Sequence, residues 1–269
     1  MARTARARCT SSWSGELATG IHFAEASGPA GTRVYAIGDV HGRLDLLEKM
    51  HRAIAEDRAR HPQQDWLIVH LGDYVDRGPD SRGVIDFLMR ASRDEPRILS
   101  LAGNHDLGLL EFLARPDPNS LFAHNGGYQT ALSYGVDLSF EPHLIDRGHR
   151  ELARAVPRSH SEFLGALKFS ASAGDFFFCH AGIRPGIALE RQDRQDLIWI
   201  RGEFHRYEPL YPKIIVHGHT PCGQPDVRPN RVNLDTAAFQ SGILSALVID
   251  GRDKQILQVA GQAFPEIGF

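Results

Sequence analysis

Little in this 269-residue sequence suggests a disulfide framework, a membrane segment or a secretion signal. Its three cysteines are odd in number and show no C-x-x-C spacing, which argues against paired disulfides and zinc knuckles and fits a reducing cytoplasm. No stretch approaches the ~20 apolar residues that a membrane span needs, and the basic N-terminus lacks an apolar signal segment. We therefore expect a cytoplasmic protein that does not associate with membranes.

An excess of charge of either sign is also missing. The 30 Lys and Arg residues nearly balance 33 Asp and Glu residues, so no global basic field is available to hold a nucleic-acid backbone. The apolar fraction of 42% and the charged fraction of 23% are ordinary for globular proteins. The sequence predicts one large α/β domain with no nucleic-acid partner.

What the chain does contain is a repeated strand-and-helix unit. The three strands are predicted at Arg33–Ile37, Trp66–Leu71 and Arg97–Leu101. Each ends in Gly followed by a polar residue, and Asp39, Asp73 and Asn104 follow one another at intervals of 34 and 31 residues, close to the length of a β-α-β unit. Right-handed crossovers would make the strands parallel and bring these polar residues to one carboxyl edge of the sheet.

The rest of the chain divides into a tail, an insertion and a second set of strands. Residues 1–32 are rich in Gly, Ser, Ala, Thr and Arg, which predicts a loosely ordered tail before a domain at 33–269. Residues from about 115 to 173 read as an inserted helical cap that carries specificity. Short strands after the cap predict a second sheet, with two sheets face to face and helices outside.

Five glycine-punctuated motifs, GDVHG, GDYVDRG, GNHD, CHAG and HGHT, carry the chemistry. Carboxylate, amide and imidazole ligands on stiff loops bind the hard divalent cations that polarise phosphate esters. Asp39, His41 and Asp73 can face one ion, and Asp73 can bridge to a second. The predicted further ligands of the second ion are Asn104, His180 and either His217 or His219. One such motif would be weak, but five in one chain predict a dimetal centre.

These motifs, in this order, resemble the metallophosphoesterase superfamily over about residues 33–250. The segment Gly72–Gly78 resembles that of PPP-type bacterial serine/threonine protein phosphatases, which are related to diadenosine tetraphosphatases. The resemblance implies a calcineurin-like four-layer α/β/β/α sandwich of two mixed sheets flanked by helices. It also implies that Asp39, His41 and Asp73 hold the first metal ion, and that Asp73, Asn104, His180 and His219 hold the second.

The same resemblance implies how the reaction proceeds. Two cations would ionise a bridging water that attacks phosphorus directly. His105 is the candidate acid for the leaving group, with Asp76 hydrogen-bonded to its other nitrogen. Arg77, Asn104 and Arg201 are expected to bind the phosphate oxygens.

We therefore predict a phosphatase acting on phosphoserine and phosphothreonine in phosphoproteins, with two divalent ions. Manganese is favoured by the resemblance, although iron or zinc also suits these ligands. The alternatives are a symmetrical bis(5'-nucleosyl)-tetraphosphatase, whose corresponding motif usually lacks the aspartate at Asp76, and a phosphotyrosine-preferring phosphatase. An inactive metal-bound interaction module is disfavoured because no ligand or acid is missing. Asp235 is expected to support the site, while His70, Tyr74 and Cys179 are expected to be packing residues.

Overall fold

Two five-stranded mixed sheets form the centre of the computed structural model, which describes residues 20–62 and 64–263. The first sheet has the order β10-β9-β1-β2-β3, with β1, β2 and β3 parallel and β9 and β10 antiparallel to their neighbours. Its strands are β1 (Thr32–Ile37), β2 (Asp65–His70), β3 (Ile98–Ser100), β9 (Ile243–Asp250) and β10 (Asp253–Ala260). The three strands predicted for this sheet are present to within a few residues. The late strands β9 and β10, which the sequence prediction assigned to the second sheet, instead extend the first sheet, because β9 pairs with β1.

The second sheet has the order β4-β5-β6-β8-β7, with β5, β6 and β8 parallel. Its strands are β4 (Ser170–Ala173), β5 (Phe176–Cys179), β6 (Ile214–His217), β7 (Asp226–Val227) and β8 (Arg231–Asn233). The edge strands β4 and β7 run antiparallel to their neighbours. Because the parallel strands of each sheet share a direction, the loops at their carboxyl ends gather at one edge.

Side-chain alternation along the strands separates three layers of core. In β1, Val34 and Ala36 face the second sheet, whereas Tyr35 and Ile37 face helices on the opposite side. A third cluster covers the outer face of the second sheet and includes Cys179. The order is therefore helix, sheet, sheet, helix, which confirms the predicted four-layer fold and the packing role of Cys179.

Helices cover both outer faces. The first sheet is covered by α1 (Leu44–Ala59) and α2 (Ser81–Asp94), and α3 (Asn104–Ala114) follows β3. The cap consists of α4 (Leu121–His124), α5 (Gly127–Ser133), α6 (Ile145–Ala155) and α7 (Arg158–Gly165). The second sheet is covered by α8 (Arg194–Trp199) and α9 (Gly202–His205), and α10 (Ala238–Ser241) precedes β9. Within the described residues, no helix has both the length and the apolar character needed to cross a bilayer.

Two boundaries differ from the sequence prediction. Residues 20–31 are packed rather than loose: Ala26 is fully buried, and the Ile21 and Phe23 amides donate to the Tyr211 and Pro229 carbonyls. The part of the predicted tail at residues 1–19 lies outside the described residues. The helical part of the cap ends at Gly165, and the last residues of the predicted insertion form the strand β4 instead of a helix.

Candidate metal centre

Strand ends in both sheets deliver the predicted ligands to one place. Asp39 and His41 follow β1, Asp73 follows β2, and Asn104 begins α3, the helix that follows β3. His180 and His219 follow the parallel strands β5 and β6. All six side chains are buried. The two sheets thus bring residues 180 positions apart in sequence into direct contact, as the hydrogen bond between the His219 amide and the Asp39 carboxylate shows (3.0 Å).

The ligands predicted for the second ion converge on the Asn104 amide oxygen. Asn104 Oδ1 lies 2.9 Å from both His180 Nε2 and His219 Nδ1. Asp73 Oδ2 lies 3.3 Å from the same His180 nitrogen. His217, the alternative left open by the motif, packs its ring against Phe204 at 4.9 Å between centroids. The geometry therefore favours His219 as the ligand.

The ligands predicted for the first ion also meet at Asp73. Asp73 Oδ2 lies 3.5 Å from His41 Nε2. His105 joins this group, because ligand atoms of His41, Asp73 and His105 all lie within 4.8 Å of one another. Asp39 contributes a buried oxygen, Oδ1, that has no hydrogen-bond partner among the described residues. A buried carboxylate oxygen without a donor is costly, and a bound cation would satisfy it.

Backbone carbonyls fix the orientation of two of the imidazoles. Nδ1 of His41 lies 2.8 Å from the Val75 carbonyl, and Nδ1 of His180 lies 3.0 Å from the Leu71 carbonyl. Each Nδ1–H therefore donates outward, which leaves the Nε2 lone pair directed at the centre, as metal-ligating histidines require. Together with the orphaned Asp39 oxygen, these nitrogen and oxygen donors fit a pair of divalent cations.

The buried carboxylates of the centre also favour cation binding. Burial and the neighbouring Asp235 raise the pKa of Asp39, and burial raises the pKa of Asp235 itself to about 6. Burial alone would also raise the pKa of Asp73, but the imidazoles of His180 and His105 hold it well below its usual range. Buried carboxylates repel one another unless positive charge lies between them, so this cluster favours cation binding.

The predicted acid pair is formed as expected. His105 Nδ1–H donates to Asp76 Oδ2 at 2.7 Å, and both side chains are buried. The second Asp76 oxygen accepts a hydrogen bond from the Thr130 hydroxyl at 2.8 Å. The Asp76 amide donates to Thr130 Oγ1 at 2.8 Å and to Ser81 Oγ at 3.1 Å. Asp76 is therefore fixed on three sides, which fixes the ring of His105.

Both predicted phosphate-binding arginines reach the centre. The Arg77 guanidinium contacts His41 Nε2 at 3.1 Å and His105 Nε2 at 3.0 Å. From the opposite side, Arg201 Nε donates to His219 Nε2 at 2.9 Å. The exposed Arg201 and the partly exposed Arg77 thus contact histidines that are predicted metal ligands. Planar guanidinium groups at this place can bind phosphoryl oxygens.

Two glycines are required by close approach to ligand atoms. A Cβ at Gly218 would collide with Asp39 Oδ1, and a Cβ at Gly103 would collide with Asp73 Oδ1. Glycine at these two positions therefore lets the backbone approach the candidate ligand atoms closely.

Sequence reasoning missed Asp106 and Thr130. The Asp106 carboxylate accepts hydrogen bonds from the amides of Gly103, Asp73 and Tyr74 at 2.9 to 3.0 Å, and so ties two ligand loops together. Its position in the first turn of α3, three residues after Gly103, was a usable helix-capping signal. Thr130 lies in the cap, and no motif marked it. The cap therefore supports the acid pair as well as bordering the cleft.

An apolar groove of about 560 Å³ runs along the cap beside Arg77. The Gly126 carbonyl accepts a hydrogen bond from the Arg77 amide at 3.1 Å, so Gly126 separates the groove from the arginine. The remaining lining residues are Pro79, Ala123, Tyr128, Gln129, Leu132 and Phe140.

Known proteins similar to this chain agree with the geometry. The family description "Calcineurin-like phosphoesterase" matches residues 32–243. The asymmetrical bis(5'-nucleosyl)-tetraphosphatase PrpE of Bacillus thuringiensis is 30% identical over 231 residues, covering 78% of this chain and 88% of the relative. Serine/threonine-protein phosphatase 2 of Escherichia coli is 27% identical over 143 residues, which cover 49% of this chain and 60% of the relative.

Solved structures show the same fold. A putative diadenosine tetraphosphatase superposes with a TM-score of 0.61 at 23% identity, covering 88% of this chain and 99% of its own. A serine/threonine phosphatase from Saccharomyces cerevisiae, similar to human phosphatase PP5, superposes with a TM-score of 0.56 at 14% identity, covering 91% and 87%.

Proposed function

The chain belongs to the calcineurin-like phosphoesterase family, and from that premise we propose that it hydrolyses phosphoserine and phosphothreonine in phosphoproteins. The observation that carries the proposal is the His105–Asp76 pair, which faces the same centre as Arg77. An alkoxide leaving group requires a proton, and a positioned imidazole can supply it.

The side chains of the centre have separable tasks. Asp39, His41 and Asp73 would hold one divalent ion, and Asp73, Asn104, His180 and His219 the other. When bound, the ions supply an ionised water for in-line attack and balance the charge of the phosphoryl group. Arg77 and Arg201 bind the non-bridging oxygens.

His105 donates its Nε2 proton to the leaving oxygen. Arg77 also donates toward that nitrogen at 3.0 Å, and two donors cannot share a hydrogen bond. A protonated His105 therefore directs the Arg77 guanidinium toward the phosphoryl oxygens. Asp76 accepts the Nδ1–H bond and so holds the ring in the orientation that this proton transfer requires.

The number of arginines at the centre supports a substrate that carries a single phosphoryl group. Among the hydrogen bonds of the described residues, the guanidinium groups that reach the centre's imidazoles belong to Arg77 and Arg201. Two planar forks match the oxygens of one phosphoryl group. A tetraphosphate chain carries more charge, which would call for further basic side chains.

A second candidate is an asymmetrical dinucleoside tetraphosphatase. It is favoured by the 30% identity to the PrpE relatives, which extends over 88% of the relative. The alternative predicted from the sequence was the symmetrical enzyme, and the relatives' names point to the asymmetrical reaction instead. In that case the apolar groove beside Arg77 would be available to a nucleobase.

One assay separates these substrates. The protein is purified, supplied with Mn²⁺, and offered phosphoserine, phosphothreonine and phosphotyrosine peptides and diadenosine tetraphosphate at equal concentrations. We expect the highest kcat/KM for the phosphoserine and phosphothreonine peptides. Preferential cleavage of the dinucleotide into ATP and AMP would replace the first proposal by the second, and cleavage into two ADP would support the symmetrical alternative. Manganese as the ion, and a cytoplasmic location, stay predictions.

A further inference from the structure

The short helix α10, which follows the turn after β8, carries an aromatic ring to the candidate metal centre. Phe239, which is half-buried, packs edge-on against the ring of His41, with 5.5 Å between centroids and an interplanar angle of 83°. The Arg77 guanidinium carbon lies 4.9 Å from the centre of the same phenyl ring. One side chain thus touches both a predicted metal ligand and a predicted phosphate-binding arginine.

The start of this helix and the turn before it are held in place by contacts from several directions. The fully buried Arg43 donates from Nη1 to the Ala238 carbonyl at 2.7 Å. The Asp235 carboxylate accepts a hydrogen bond from the Ala237 amide at 2.9 Å, and the Thr236 hydroxyl donates to the Ile243 carbonyl at 2.8 Å. The backbone that carries Phe239 is therefore fixed beside the candidate centre, where the ring contacts His41 and Arg77.

An aromatic partner suits an arginine that must bind phosphate. Within the described residues, the recorded contacts of the Arg77 guanidinium are with two imidazoles and the Phe239 ring, and include no carboxylate. A carboxylate would occupy the N–H fork, whereas an aromatic face holds the guanidinium through its π-system. The N–H groups that the two imidazoles do not occupy then stay available for phosphoryl oxygens.

We propose that Phe239 is a positioning residue that orients the Arg77 guanidinium for the phosphoryl group of the substrate. The inference rests on the proposed phosphate-ester hydrolysis, but it holds for a phosphoprotein or a dinucleotide alike. Arg77 binds the phosphoryl group both in the bound substrate and in the transition state. A misoriented Arg77 guanidinium should therefore raise KM more than it lowers kcat.

The test compares Phe239→Leu with Phe239→Tyr, which restores the aromatic face. The readouts are KM and kcat for p-nitrophenyl phosphate and the Kd of inorganic phosphate from calorimetry. Phe239→Leu is expected to raise KM and Kd by roughly threefold to tenfold, which matches a cation–π contact, while kcat changes less than twofold. Phe239→Tyr is expected to restore both constants.

Phe169→Leu is the matched control, because Arg194 lies over the Phe169 ring at 5.1 Å, in a contact outside the candidate centre. It should leave both constants unchanged. In an Arg77→Ala background, Phe239→Leu should add no further increase in KM. An equal increase in that background, or unchanged constants in Phe239→Leu, would overturn the inference. Neither readout depends on which physiological substrate is cleaved, so failure of the phosphoprotein assay would not be confused with failure of this test.

Discussion

Removal of the predicted general acid gives the sharpest test of the mechanism. His105→Asn removes the imidazole that is hydrogen-bonded to Asp76 at 2.7 Å. Asparagine still offers a polar side chain of moderate size at a buried position, so the fold should survive. The two groups of predicted metal ligands keep Asp39, His41, Asp73, Asn104, His180 and His219.

The size of the effect follows from the task of the residue. A positioned general acid contributes about 10²- to 10⁴-fold to a rate, which corresponds to about 3–5 kcal/mol of transition-state stabilisation. Asp76→Asn keeps the imidazole but removes the charge partner, and a hydrogen bond to a charged group contributes about 1.5–3 kcal/mol. We therefore expect kcat to fall further in His105→Asn than in Asp76→Asn.

The assay compares two leaving groups. A phosphoserine peptide releases an alkoxide, which requires a proton, whereas p-nitrophenyl phosphate releases a stable phenolate. His105→Asn should therefore lower kcat for the peptide by about 10²- to 10⁴-fold and kcat for p-nitrophenyl phosphate much less. Elemental analysis should find the same metal content in the variant and the wild type. Equal losses for both substrates, with both ions still bound, would refute the role of His105 as acid.

Three further predictions concern the centre and the fold. Asp73→Asn should lower the content of both ions together, because Asp73 Oδ2 faces both ligand groups; metal analysis that finds only one ion lost would contradict bridging. Ala237→Gly should stabilise the protein by about 0.5–1 kcal/mol in urea unfolding, because Ala237 has a φ of 51°. Ala238→Gly, without such a φ, should instead destabilise it. Asp57→Asn should cost about 3–5 kcal/mol at pH 7, because Asp57 pairs with the buried Arg33 at 2.7 Å. Burial alone would raise the pKa of Asp57, but hydrogen bonds from Arg33 and Tyr35 lower it. Its stabilisation is therefore present above the ordinary Asp pKa of about 3.9 and lost as pH falls through the folded value. A difference between wild type and variant that does not shrink as the pH falls below about 3.9 would contradict this.

The strands, and the gathering of the candidate ligands at their ends, could be predicted because each depends on local sequence. An apolar run followed by glycine and a polar residue marks the end of a buried strand, and parallel strands bring their ends together. That reasoning reached Asp39 and Asn104 without knowledge of any tertiary contact. From the sequence, His219 could be chosen over His217 as the candidate ligand only by resemblance, because residues two positions apart on a strand share a face. The loop geometry favours His219, because it lies beyond the end of the strand, with a φ of 67°, and groups with Asp73 and His180.

Contacts made across long sequence distances could not be predicted. Thr130 meets Asp76 from 54 positions away, and Arg43 reaches Ala238 from 195 positions away. Threonine and arginine are common residue types, and neither contact leaves a pattern in the chain. The packed course of residues 20–31 was missed for the same reason, since their composition resembles a loop and their partners lie in other elements.

Backbone strain in the described residues is concentrated in the candidate metal centre. Six non-glycine residues have a positive φ, namely His41, Asp73, Asp76, Arg77, His219 and Ala237. Each such residue costs on the order of 1–2 kcal/mol relative to ordinary backbone, which is a large share of a typical domain stability of about 5–15 kcal/mol. Glycine would relieve the strain at five of these positions only by removing a predicted ligand, acid partner or phosphate-binding group. Ala237 offers no such group, so a glycine there would relieve the backbone strain without removing a predicted functional side chain. Because ions that bind only the folded state stabilise it by mass action, metal binding would offset the strain that the ligand geometry imposes.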